Sequence, residues 1–167
     1  EPGKARRAAL DMKLGLLEQP ITPEVLEPLL AARRNLLEAA GGQPIVARSS
    51  ALVEDRFGSS FAGQFESYLE LETEADFLTA VRSCWAALWS TRVLRYMATH
   101  DASPVETAMA VLVQPLVAAR VSGGGLSQTA SGEMVINATW GLGSAIAQGE
   151  VVPERIVLTR DGTHSDT

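Results

Sequence analysis

Cysteine is almost absent from this 167-residue chain. The single Cys84 excludes an intrachain disulfide, and its apolar, helix-like surroundings fit a reducing compartment, with the cytoplasm as the default. No stretch approaches the roughly 18 apolar residues of a membrane span, and the opening Glu1-Pro2-Gly3-Lys4 does not begin a signal peptide. An excess of positive charge is missing as well. Lysine and arginine number 14 against 20 acidic residues, and the net charge of -6 offers no long-range attraction to nucleic acid or an anionic membrane. Any anion must therefore be held by local donors. The two histidines, His100 and His164, stand singly in polar surroundings and read as surface or loop residues. What is present is ordinary globular material, 46% hydrophobic and 20% charged, enough for a soluble unit with a real core.

The order of elements reads as helices first, then mixed strands and helices, which predicts an α+β fold. Leucines and alanines among basic residues predict a helix over 4–18. Thr22 as N-cap and Pro23 in the first turn predict a second one, ended by Gly41-Gly42. The two are expected to form a helical hairpin over residues 1–43, ahead of a lobe of mixed strands and helices over 44–167. A short β-run at 45–47 leads to Arg48-Ser49-Ser50 and a polar loop with Gly58, Ser59, Ser60 and Gly63. Strands are expected at 68–71, 109–113, 116–122, 134–139 and 156–159, and Gly123-Gly124-Gly125 is expected to be a turn. Helices are expected after the cap Thr73 and over 91–98, and a turn into a helix over 141–148.

Three segments carry chemistry. An arginine leaving a strand into a loop of small residues can present Arg48 to a phosphate, and glycine allows close backbone approach to the same anion. Read alone, the same arginine serves as well to pin a loop by pairing with Glu54 or Asp55. A hydrophobic strand ending in Gln114-Pro115 can offer amide groups to an adenine edge, though taken by itself a simple buried strand explains it better. The strand through Asn137 that runs into Gly141-Leu142-Gly143, then Gln148-Gly149, can converge backbone N–H groups on one point.

Together these segments resemble the N-terminal nucleotide-binding domain of the phosphoenolpyruvate synthase, pyruvate phosphate dikinase and rifampicin phosphotransferase family. The stretch VARSSALVEDRFGSSFAGQFESYLEL at 46–71 is similar to that family's arginine-loop motif. Residues 85–96, residues 111–117 and INATWGLGSAIAQGEVVPERIVL from Ile136 follow in the family's order. The resemblance implies that the lobe over 44–167 is an ATP-grasp nucleotide-binding lobe holding ATP and Mg2+. It further implies transfer of the β-phosphoryl group to a histidine on a separate swivelling domain, leaving AMP and phosphate. An acceptor-binding domain would complete the enzyme, in the same chain or in a partner. By position, Arg48 matches the catalytic phosphate-contacting arginine, and Gly63 and Ser67 match positions lining the nucleotide. Gln114 matches the adenine-side glutamine, and Asn137 and Gln148 the places nearest the metal and polyphosphate.

Several positions depart from the family. Asn137 stands where many relatives have glutamate, Ser144 ends what is usually Gly-Leu-Gly-Glu, and Glu150 occupies the place of an arginine. The other lobe, with its phosphate-binding lysine, would precede Glu1, so the chain is expected to be a fragment and inactive in isolation. The alternative function is a degenerate nucleotide-binding regulatory or interaction module without transfer. A helical scaffold using the leucine face of 22–40 is a third. The leading reading makes two geometric demands. The strands at 45–47, 109–113 and 134–137 should share one sheet, and Arg48 should face the same cleft as Gln114 and Gln148.

Overall fold

The computed structural model describes residues 2–52, 67–99 and 103–159, and its fold is α+β with two small antiparallel sheets. Two compact units divide at Leu116 and Val117. The first contains helix α1 (Pro2–Glu18), helix α2 (Pro23–Ala39), strand β1 (Ile45–Ala51), strand β2 (Ser67–Tyr68), helix α3 (Glu74–Ala87), helix α4 (Thr91–Thr99), a 3-10 turn at Pro104–Glu106 and strand β3 (Met109–Pro115). The second contains strand β4 (Val121–Leu126), strand β5 (Met134–Trp140), the one-turn helix α5 (Ser144–Ala147) and strand β6 (Glu154–Leu158). Among the described residues no helix is long and apolar enough to cross a membrane.

In the first unit, β1 lies between β2 and β3. Its inward residues Ile45 and Ala47 are fully buried against Phe77, Ala80 and Val81 of α3, with leucines of α2 packed at the margin. Those leucines, spaced along one stripe of α2, are the apolar face expected of a helix lying on a core. The main contacts of α1 and α2 are with α3 and β3 respectively. A second cluster joins Ala51, at the end of β1, to Leu88 and to Val93 and Met97 of α4. Cys84 is buried in α3 and forms no disulfide.

The two threonine caps behave differently. Thr22 occupies the N-cap of α2 without a side-chain hydrogen bond, so Pro23 carries the start of that helix. Thr73 forms a complete capping box on α3: its hydroxyl accepts from the Asp76 N–H at 3.1 Å, and its own N–H donates to the Asp76 carboxylate at 3.1 Å. The Thr73 hydroxyl also donates to that carboxylate at 2.6 Å, and these bonds hold the Asp76 carboxyl below its ordinary pKa.

Several expectations are corrected. Residues 45–47, 109–113 and 134–137 do not share a sheet, because β1 and β3 pair in the first unit while β5 pairs with β4 and β6 in the second. Pairing of β1 with β3 continues to Ala51 opposite Met109, so Arg48 sits in mid-strand rather than at the mouth of a loop. The expected strand at 68–71 stops at Tyr68, since Glu70 adopts φ 54°, a left-handed conformation that cannot continue a ladder. The strand expected at 116–122 instead runs from Val121 to Leu126, and Gly123-Gly124-Gly125 is its middle, not a turn. A β-carbon on Gly123 would clash with the Asn137 carbonyl oxygen, and one on Gly125 would lie 2.5 Å from the Val135 carbonyl oxygen. These glycines permit close backbone approach.

Candidate functional site

In the first sheet, Val46 lies opposite Gln114, and Arg48 lies opposite both Leu112 of β3 and Ser67 of β2. Opposed residues of an antiparallel ladder share a face, and successive residues alternate. Arg48, Ser67 and Gln114 are thereby brought to one face, the reverse of the Ile45 and Ala47 face that builds the core. Arg48 and Ser67 are exposed and Gln114 is half-buried. Arg48 and Gln114 are diagonal neighbours, separated by roughly 7–8 Å, within reach of one ligand for both side chains. Among the described residues Arg48 has no hydrogen-bond or ion-pair partner. Among these residues its planar fork of donors is uncommitted, the state a phosphate-binding arginine needs. Gly63, Glu54 and Asp55 lie outside the described residues.

The second unit holds Asn137 and Gln148. Asn137 is half-buried on β5, opposite Gly124 of β4 on one side and Arg155 of β6 on the other. Arg155 was not singled out in the sequence. It lies within the family-like stretch from Ile136, but only the strand register reveals that it shares Asn137's face. Opposed β-carbons in such a ladder are about 4.5–5.5 Å apart, so a guanidinium and a neutral amide stand side by side. That pair suits anionic oxygens. It does not fit a magnesium ion held by the protein, which wants carboxylates and is repelled by a fixed cation. Among the described residues no cluster of three or more His, Cys, Asp or Glu side chains could hold a metal.

Gln148 is exposed at the C-terminal end of α5, where its backbone N–H bonds the carbonyls of Ser144 and Ile146. Of the N–H groups expected to converge around Gly-Leu-Gly, that of Gly141 is committed within the second unit. Gly141 takes φ 80°, which favours glycine, and donates its N–H to the Arg120 carbonyl at 2.9 Å. Its own carbonyl accepts from the Ser122 hydroxyl at 2.6 Å. The turn is thus tied to β4, and α5, with four residues, is too short to develop an anion-binding terminus.

Comparison with known proteins adds what geometry alone does not. The family described as "Pyruvate phosphate dikinase, AMP/ATP-binding domain" matches residues 3–165. The phosphoenolpyruvate synthase of Aeropyrum pernix is 35% identical over 165 residues, covering 95% of this chain and 20% of that protein. An uncharacterized phosphotransferase, YvkC, of Bacillus subtilis (strain 168) is 30% identical over 164 residues, covering 96% of this chain and 20% of its own length. A prodigiosin synthesizing transferase of Serratia marcescens is 33% identical over 135 residues, 78% of this chain and 15% of that enzyme. The chain spans about one-fifth of the length of the first curated relatives it matches.

Proposed function

We propose, from the premise that this chain belongs to the pyruvate phosphate dikinase AMP/ATP-binding domain family, that it is the ATP-holding part of a phosphotransferase. In this reading its lobe is of the ATP-grasp kind, and the phosphoryl group passes from ATP to a histidine on a separate swivelling domain, then to an acceptor held elsewhere. The carrying observation is the common face of Arg48, Ser67 and Gln114 in a chain of this family. Gln114 supplies the neutral amide that reads an adenine edge, and Arg48 supplies two parallel N–H donors to phosphate oxygens. Arg48 positions and stabilises charge, which is most of what phosphoryl transfer asks of a protein. In the second unit, Asn137 and Arg155 offer donors to anionic oxygens, and the family resemblance proposes Gln148 as a further polyphosphate contact. Magnesium belongs to this proposal only as the counter-ion that ATP brings, because Asn137, opposite Arg155, and Gln148 are neutral and a poor set for capturing it. The compartment proposed is the cytoplasm.

The test uses the full-length protein incubated with ATP labelled in its β-phosphate. Formation of AMP together with an acid-labile phosphoprotein supports transfer to histidine. A second reading, a nucleotide-binding regulatory module without transfer, is favoured by one feature: Asn137 is neutral and faces Arg155 where a metal-binding carboxylate would be expected. Tight ATP binding with no AMP would establish that second reading, and failure to bind ATP would end both.

A further inference from the structure

The first unit contains a groove of about 550 Å3 between the N-terminal half of α1 and helix α4, on a different side of α4 from the buried Val93 and Met97. Its volume lies within the roughly 300–1,000 Å3 typical of small-molecule sites. Ala5, Ala8, Ala9 and Met12 recur at helical spacing along one wall, and their small side chains leave the space open. Trp89, Leu94 and Ala98 face them from the α3–α4 turn and α4. The floor is therefore apolar.

The charge of the lining is one-sided. Arg6 and Lys13 stand on the α1 wall and Arg95 on the α4 wall, and among the described residues no aspartate or glutamate lines the groove, although the chain as a whole carries -6. Among the described residues none of these three cations has a hydrogen-bond or ion-pair partner. Like charges lining one apolar cleft raise its positive potential, and an anionic head group among them is favoured. A purely polar anion would leave the alanine and tryptophan surface wet, and an uncharged apolar molecule would leave the cations uncompensated.

We propose that this groove binds a small amphipathic anion, a carboxylate, sulfonate or phosphate monoester on an apolar body. Its head group is bracketed by Arg6, Lys13 and Arg95, and its body lies against Ala8, Ala98 and Trp89. The groove shares no residue with the Arg48 and Gln114 face, so the proposal stands independently of nucleotide binding.

Equilibrium dialysis of the full-length protein against labelled decanoate, with decanol as the uncharged probe of the same length, tests it. Saturable binding of decanoate is expected, with decanol about ten-fold or more weaker, since a charge-assisted contact is worth on the order of one decade in affinity. Arg95→Gln, a change at an exposed residue, should weaken decanoate about ten-fold while leaving decanol unchanged. Ala98→Phe, also at an exposed position, should fill the cleft and abolish binding of both, with circular dichroism confirming the fold. Equal binding of decanoate and decanol overturns the anionic specificity. Absence of saturable binding, or full binding in Ala98→Phe, overturns the site.

Discussion

Arg48 combines two properties that rarely coexist without reason: it sits in a fully paired strand, and among the described residues its guanidinium is bonded to nothing. Strand pairing fixes its Cα, and exposure leaves its head free. In the full-length protein Arg48→Ala should therefore cost no more than the roughly 0.5 kcal/mol typical of surface changes. AMP formation should fall by on the order of 10²-fold, as when one stabilising donor is removed from a developing negative charge. Arg48→Lys should recover little, because an ammonium cannot make a two-pronged contact. Thermal melting beside steady-state AMP formation checks both, and near-normal turnover of Arg48→Ala would make the arginine structural. Arg155 makes a weaker demand. As a surface cation opposite Asn137, its replacement by glutamine should raise the KM for ATP several-fold with little change in Tm, and an unchanged KM would remove it from the phosphate side.

At the scale of elements, local signals and pairing signals differ in what they reveal. The start of α3 was legible because a capping box is written within four residues, Thr73 to Asp76. Thr73→Ala should destabilise the protein by about 1 kcal/mol, as loss of a threonine cap usually does. Asp76 has its pKa lowered first by the Thr73 side chain and then by the Thr73 backbone. The stability it contributes is thus full above the ordinary aspartate pKa and disappears as pH falls through the depressed value. Melting curves from neutral to strongly acid pH should show this loss in the wild type and a smaller one in Thr73→Ala. By contrast, Gly123-Gly124-Gly125 looked like a turn because glycine is locally a breaker, and only its partner β5 shows that two of the three meet backbone. Gly123→Ala should cost about 1–3 kcal/mol through overpacking, whereas Gly124→Ala, with nothing near its β-carbon, should be tolerated. Equal melting temperatures for the two variants would contradict the register of β4 on β5. The candidate site divides the same way. The expectation that Arg48, Gln114 and Gln148 face one cleft came from the family resemblance; the register shows only that Arg48 and Gln114 share a face of the first sheet, and the Asn137 and Arg155 pair depends on a long-range register that no spacing in the chain encodes.

For the whole molecule, the division into two compact units lets one measurement read the proposed contacts of each unit independently. Arg48, Ser67 and Gln114 belong to the unit ending at Leu116, and Asn137, Gln148 and Arg155 to the unit beginning at Val117. A ligand that binds the native state stabilises it by mass action, about 2.7 kcal/mol at a hundred-fold excess over Kd, and slows hydrogen exchange where its contacts suppress local opening. Hydrogen exchange of the full-length protein with and without Mg-ATP should therefore slow the amides of β1 and β3 first, because Arg48 and Gln114 hang from adjacent paired strands. Slowing in β5 and β6 as well would support Asn137 and Arg155 as phosphate-side groups. Protection confined to β1 and β3 would leave the nucleotide reading of the first unit standing while removing Asn137, Gln148 and Arg155 from it. Protection confined to the second unit would instead detach Arg48 from the nucleotide, and with it the proposal's central residue.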